Sequence, residues 1–177
     1  MLSPCDTWAV GFDSNGTTNQ SLIEHWNGSS WTVVPSPDPG STANVLSGVR
    51  AVSSTSIWAV GYYSDGNGDK TLILHWNGRH WQRSFSPNVG TGGNDLSAIG
   101  GTSSTNIYAV GVTVSGVNTK ALILHWDGSH WRVMPGRNPG TADNELNAVF
   151  ALSPTSIWAV GRYNNGGFNR TLIEHCR

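Results

Sequence analysis

One five-residue pattern returns along the chain every 50 residues, and this repetition restricts the accessible folds more than any other feature. The pattern Ile-Trp-Ala-Val-Gly occupies 57–61 and 157–161, with Ile-Tyr-Ala-Val-Gly at 107–111 and a shorter copy at 8–11. Internal repeats of this length are typical of propellers and solenoids, in which each repeat is one supersecondary unit.

Two further blocks keep the same 50-residue step. A Leu-Ile-Glu/Leu-His block, followed by Trp or Cys, occupies 22–26, 72–76, 122–126 and 172–176. A single-residue column holds Trp31, Trp81 and Trp131. All nine Trp residues lie in the repeat columns, so the aromatic residues belong to the repeated unit.

Each repeat is predicted to hold four short strands. In the second repeat we expect strands at Leu46–Val52, Ser56–Tyr63, Thr71–Trp76 and His80–Phe85, because these segments are rich in β-branched and aromatic residues. Asn-Gly or Asp-Gly follows the third strand and predicts a two-residue hairpin turn. Proline-rich segments after the fourth strand end the sheet and lead to the next repeat.

These elements predict an all-β, propeller-type tandem repeat with four-stranded antiparallel blades of 50 residues, about 3.5 blades in total. A β-helix solenoid is the alternative, disfavoured because its coils are shorter and need no paired hairpin turns. The chain is predicted to be one domain, 1–177. Its blades are a partial first blade at 5–35, complete blades at 46–86 and 96–135, and a partial last blade at 146–176.

With these motifs the sequence resembles bacterial β-propeller repeats that are distant relatives of kelch and BNR/Asp-box propellers. The resemblance implies architecture rather than activity, since propellers carry many functions. The kelch Gly-Gly doublet is absent, and the Asp-box keeps only its end, at 28–31. Glu24 and Trp26 stand at its Ser and Asp positions, so sialidase-like activity is not expected.

The strand count leaves three interpretations of ring closure open. In the first, the chain is a fragment of a larger propeller. In the second, it self-associates to complete a ring. In the third, it closes alone as a small four-blade ring. Known propellers close with 4 to 8 blades. A dimer would hold seven blades by strand count. The partial blades at the two chain ends have three strands each, however, and they do not combine into one four-stranded blade without surplus strands.

Composition excludes several partners. The net charge is −1 and only 12% of residues are charged, so we expect no nucleic-acid binding. No apolar run approaches the roughly 20 residues of a membrane span, and Met1–Cys5 lacks the features of a signal peptide. Two Lys residues, abundant Gly and Asn, and the family resemblance nevertheless favour an extracellular or cell-surface location. Whether Cys5 and Cys176 pair stays open.

No cofactor or metal is predicted. The histidine column, His25, His75, His125 and His175, is interpreted as structural, because a residue repeated in every blade serves the blade. Asp65–Asp69 mimics the start of a calcium loop but lacks the expected Gly and the bidentate Glu, so it is interpreted as a hairpin turn.

The candidate ligand-binding residues lie in the crossover loops and beside the turns. They are Asn44, Asn94 and Asn144 before the first strand, Asp38, Asn88 and Asn138 in the crossovers, and Trp31, Trp81 and Trp131 after the turns. Polar crossover residues on a rim could contact a ligand, and indole rings could stack on sugars. No catalytic residues are predicted.

The function predicted from the sequence is a non-catalytic, extracellular propeller scaffold that binds an unknown protein or glycan. The alternatives are a fragment of a propeller glycoside hydrolase or sialidase-like enzyme, or a carbohydrate-binding lectin. An enzyme would need two carboxylates about 5 to 10 Å apart. The acidic residues that vary between repeats are Glu24, Asp95, Glu145 and Glu174, and nothing in the pattern brings them together.

Overall fold

The computed structural model describes residues 5–176 and shows an all-β chain with fourteen strands over that range. The segment 1–4, which bears most of the prediction about a signal peptide, lies outside the described residues, as does residue 177.

The strands group into four repeats. Repeat 1 holds β1 (Thr7–Ser14), β2 (Asn19–Trp26) and β3 (Trp31–Val33). Repeat 2 holds β4 (Ala43–Ser53), β5 (Ser56–Ser64), β6 (Asp69–Trp76) and β7 (Trp81–Arg83). Repeat 3 holds β8 (Asn94–Ser103), β9 (Asn106–Ser115), β10 (Asn118–Trp126) and β11 (Trp131–Met134). Repeat 4 holds β12 (Asn144–Ser153), β13 (Ser156–Asn164) and β14 (Asn169–Cys176).

Within every repeat, strands that are consecutive in sequence pair antiparallel. The register repeats as well, since Trp8 pairs with His25 and Trp58 pairs with His75. One parallel bridge, Asn19 with Ala43, links repeat 1 to repeat 2. The four-stranded antiparallel unit that the sequence predicts is therefore confirmed, and the array has the propeller-type fold class.

The repeats pack face to face, because the strands are apolar on both sides. We call the side of a repeat that contacts the next repeat its forward face and the opposite side its rear face. Trp58 and Val60 of β5 and Ile73 of β6 form the forward face of repeat 2, whereas Ile57 and Leu72 lie on its rear face. This alternation follows from the period of two residues in a strand.

Buried clusters fill the junctions between successive repeats. At the junction of repeats 2 and 3, Trp58, Val60 and Ile73 pack against Leu96 and Trp131. The other two junctions use the equivalent columns. The hydrophobic core is thus a row of interfaces between sheets, as expected for stacked repeats that cannot bury their faces alone.

The turn after the third strand differs from the sequence prediction. Trp26 pairs with Trp31, so the connection at 27–30 has four residues rather than two. Gly28 has a φ of 98°, while Asn27 keeps a negative φ and its Oδ1 accepts the N–H groups of Ser29 and Ser30. A two-residue type I′ turn needs positive φ at both central residues, and here the Asn side chain stabilises a wider loop instead.

The glycine of the repeated pentapeptide is needed for close packing inside the sheet. A bulge between Leu96 and Ala98 in β8 displaces the strand, and a Cβ at Gly111 would collide with the Asp95 carbonyl oxygen. The equivalent Gly11 of β1 has no atom within 4 Å of such a Cβ. The same motif therefore meets different steric demands in repeats 1 and 3.

We expect Gly111→Ala to destabilise the chain by roughly 1–3 kcal/mol or more, because backbone atoms cannot move aside as a side chain does. Gly11→Ala is the matched control and should leave stability almost unchanged. Thermal melts followed by circular dichroism measure both variants. Equal melting temperatures for the two variants would contradict the packing described for the bulge.

Candidate functional site

A histidine stacks on an aromatic ring in every repeat. The pairs and their centroid distances are Trp8–His25 at 4.4 Å, Trp58–His75 at 4.1 Å, Tyr108–His125 at 4.4 Å and Trp158–His175 at 4.4 Å. The pairs join neighbouring strands, namely β1 and β2, β5 and β6, β9 and β10, and β13 and β14. The histidine column is therefore part of the packing of each sheet.

The ring nitrogens of three of these histidines bond within their own repeat. His25 Nε2 lies 2.9 Å from Asp6 Oδ1, His75 Nε2 lies 3.2 Å from Ser56 Oγ, and His125 Nε2 lies 2.8 Å from Asn106 Oδ1. The structural interpretation of this column is confirmed for them. Burial lowers the pKa of both His75 and His125, so their neutral form is favoured.

Asn44, Asn94 and Asn144 lie buried and hold the crossover loops in shape. Asn44 Oδ1 accepts the N–H of Gly40 at 2.7 Å, and its Nδ2 donates to the Gly40 carbonyl at 2.8 Å. Asn144 makes the same pair of bonds with Gly140. Ligand binding by this column stays a prediction, and the role visible in the structure is loop closure.

Asp38, Asn88 and Asn138 fasten the crossovers to β2, β6 and β10. Their side-chain Oδ1 atoms accept the backbone N–H groups of Ser21, Thr71 and Ala121, at 2.9, 2.8 and 2.8 Å. The three residues occupy equivalent places, and each replaces a missing ladder bond beyond the short fourth strand. Their proposed contact with a ligand is not tested by these bonds.

The three turn-adjacent Trp residues differ in exposure. Trp81 and Trp131 are 3% and 6% exposed, because each lies against the preceding repeat, whereas Trp31 is 46% exposed. Packing between repeats is thus the role that the structure shows for Trp81 and Trp131. Of the predicted aromatic contacts, Trp31 is the one whose indole is accessible.

The forward face of repeat 4 is an accessible apolar surface, and the sequence pattern does not predict its exposure. Trp158 and Val160 are each 41% exposed and Ile173 is 56% exposed, whereas the equivalent Trp58 is 2% exposed. Phe150 and Leu152 of β12 are also exposed. We call this surface, formed by Trp158, Val160, Ile173, Phe150 and Leu152, the open forward face.

Polar groups border the open forward face. A cavity of about 510 Å³ is lined by Pro135, Arg137, Trp158, Ile173, Glu174 and His175. Both carboxylate oxygens of Glu174 lie 3.0 Å from the backbone N–H of Arg137. Burial raises the pKa of Glu174, and the bond from Arg137 partly offsets that effect. The cavity therefore joins an apolar wall to hydrogen-bonding groups.

The acidic residues considered for catalysis have separate surroundings. Glu145 bonds to Arg162 at 2.8 and 3.1 Å, and Glu174 bonds to the Arg137 backbone. Burial, with a smaller contribution from Asp69, raises the pKa of Asp95. Over residues 5–176, no three His, Cys, Asp or Glu side chains come together as candidate metal ligands. No helix in that range is long and apolar enough to span a membrane.

Comparison with known proteins finds similarity among solved structures and none among sequences. Neither a family model nor a curated protein matches the sequence. The chain is similar to the solved structure titled "YCF48 bound to D1 peptide", with 16% identity and a TM-score of 0.43, over 87% of this chain and 44% of that one. The chain thus spans less than half of that protein, and a likeness at this level indicates no shared function.

We expect Asn44→Ala to lower the free energy of unfolding by about 1–3 kcal/mol, because it leaves the buried amide groups of Gly40 without their partner. Asn67→Ala in an exposed turn is the control and should change stability little. Chemical denaturation measures both. A neutral Asn44→Ala would show that the crossover loop does not depend on this side chain.

We expect stability to fall as the pH drops from about 7.5 to about 5.5, with part of the fall due to His75. Its folded-state pKa is lowered, so the unfolded chain binds more protons and gains stability as the pH falls below the unfolded pKa of about 6.5. His75→Gln removes this contribution and should show a shallower pH dependence of the melting temperature. Asp95 and Glu174 act with the opposite sign but are present in both proteins. Parallel curves for the two proteins would contradict the lowered pKa.

Proposed function

We propose that the chain is a non-catalytic repeat scaffold that binds protein partners through the open forward face of repeat 4. One observation carries the proposal. The columns of Trp158, Val160 and Ile173 are buried against another sheet in repeats 2 and 3, and here the same side chains are accessible. A face with the composition of an internal junction is suited to another protein surface.

The face has the anatomy of a protein interface. Its centre is an indole next to aliphatic side chains, and its border carries Arg137 and His175. Protein interfaces combine an apolar centre with a polar rim, and Trp is enriched among the residues that dominate binding energy. The central residues stand on β13 and β14, so the paired strands hold them in place without loop ordering.

The apolar centre indicates what a partner should supply. Glu174 pairs with Ala159, which packs in the junction with repeat 3, so its buried carboxylate lies on the rear side of β14. His175 pairs with Trp158 and is the polar side chain of β14 on the forward side. We infer a partner segment with aliphatic or aromatic side chains for Trp158 and Ile173.

Absence of catalysis and an extracellular location are part of the same proposal. The observed bonds support the first, since Glu145 and Glu174 are engaged with Arg162 and Arg137 in separate contacts. The low Lys content and the propeller-type repeat support the second. The exposed indole of Trp31 is the observation that favours a lectin as the second candidate.

We expect a peptide phage-display library to yield apolar binders of the wild-type chain whose binding Ile173→Asp reduces at least tenfold. The new charge would have to be desolvated beside Trp158 in any bound complex. Val133→Asp is the matched control, because Val133 is a similarly exposed strand residue at 46%. Biolayer interferometry with the selected peptides measures all three proteins.

Equal binding by the wild type and Ile173→Asp would reject this site. Binding on a glycan array that depends on Trp31 and not on Ile173 would favour the lectin instead. Hydrolysis of a chromogenic glycoside that is lost on Glu174→Gln would contradict a non-catalytic role.

A further inference from the structure

Two internal junctions are built around the same group of three tryptophans. Trp8 lies 5.1 Å from Trp76 at 49° and 5.5 Å from Trp81 at 77°. In the next junction Trp58 lies 5.2 Å from Trp126 at 53° and 5.6 Å from Trp131 at 79°. In both, one forward-face Trp meets a Trp pair on the rear face of the following repeat.

The rear face of repeat 1 carries such a Trp pair without a partner repeat in the described chain. Trp26 and Trp31 lie 5.7 Å apart at 46°, against 5.7 Å and 44° for Trp126 and Trp131. The pair therefore has the geometry of an internal junction even though Trp31 is accessible. We call this pair, with Leu22 and Ala9 beside it, the open rear face.

The open forward face carries the other half of the group. Trp158 stacks on His175 at 4.4 Å and 15°, as Trp58 stacks on His75 at 4.1 Å and 25°. The strand register is also the same, with Trp158 opposite His175. One accessible face thus presents the single Trp and the other presents the Trp pair.

We propose that the open forward face of one chain binds the open rear face of a second copy, so that Trp158 packs against Trp26 and Trp31 of the second copy. This inference rests on the proposed function and names the partner of the same surface. The chain already makes this kind of interface between its own successive repeats, and the proposed contact would repeat it between two copies. The new junction would combine three Trp residues, as the first two internal junctions do.

The columns around the tryptophans also match. Val160 and Ile173 take the places of Val60 and Ile73, which are buried against repeat 3. Leu22 takes the place of Leu72 and Leu122, which repeats 2 and 3 bury at their rear faces. The exception is Glu24, which replaces a leucine. Glu174 occupies the same column in a packed junction, so a carboxylate is tolerated there when a donor is near.

The contact is heterologous, because it joins two different faces. Two copies that use both of their faces would place eight repeats in a ring, within the range of known propellers. Sheets meet face to face at such a junction, so no strand passes from one copy to the other. The shortfall of strands in repeats 1 and 4 therefore does not prevent the contact.

The experiment is size-exclusion chromatography with light scattering over a range of concentrations. We expect the wild-type chain to have twice the mass of one chain at high concentration. Ile173→Asp blocks the open forward face and Trp31→Asp blocks the open rear face, so each variant alone should have the mass of one chain. Val133→Asp should behave as the wild type. Circular dichroism verifies that all the proteins are folded, which exposed positions should permit.

Mixing the two blocked variants gives the decisive result. Ile173→Asp keeps an intact rear face and Trp31→Asp keeps an intact forward face, so an equimolar mixture should form a two-chain species that neither forms alone. A wild type that stays single at every concentration would overturn the proposal. So would a dimer that survives Trp31→Asp, because it would use other surfaces.

The outcome also separates this inference from the proposed function. A single-chain wild type whose selected peptides still bind through Ile173 would reject the second copy and keep the peptide-binding face. Loss of both properties would reject both. Trp31→Asp should leave peptide binding at the open forward face intact, because it alters only the opposite end of the array.

Discussion

Apolar packing between the faces of successive sheets is the interaction on which the rest of this structure depends. Each repeat is apolar on both faces, so a repeat in isolation would expose both of them to water. Burying an aliphatic or aromatic side chain contributes roughly 1.5–3 kcal/mol, more than the roughly 0.5–1.5 kcal/mol net of a hydrogen bond. Several such side chains meet at each junction, and the sheets are therefore held by their neighbours.

Polar side chains set the geometry within which that packing occurs. The buried Asn44 closes its crossover loop, and Asp38 fastens the crossover to β2. His75 fills the space between Trp58 and Ser56, stacked on one and bonded to the other. These groups recur at a 50-residue interval because every repeat has the same backbone groups to satisfy. Uniform polar columns are thus evidence of repeated structure, and the surfaces that differ between repeats are better places to seek a partner.

Sequence periodicity was sufficient to predict the four-stranded unit, the antiparallel order and the structural histidines. It was not sufficient for the turn at 27–30, where the Asn27 side chain stabilises a four-residue loop that Asn-Gly alone does not distinguish from a two-residue turn. It also could not separate Trp31 from Trp81, since both follow the same local pattern. Their exposure is decided by whether a repeat lies against them, which is a tertiary property. Trp58 and Trp158 share a column that is interpreted as packing between blades, and the exposure of Trp158 could not be predicted for the same reason.

The chemistry of the two accessible faces is unlike that of an ordinary solvent-facing sheet. The solvent-facing outer surfaces of soluble repeat arrays are polar. Repeat 4 instead keeps Trp158, Val160 and Ile173 at the positions that internal junctions bury, and it adds Phe150 where repeat 2 has Arg50. The rear face of repeat 1 is mixed, with Glu24 in a leucine column but with its Trp pair in junction geometry. The apolar face and the pre-arranged aromatic pair lie at opposite ends of the array, so the contact proposed between two copies is head-to-tail.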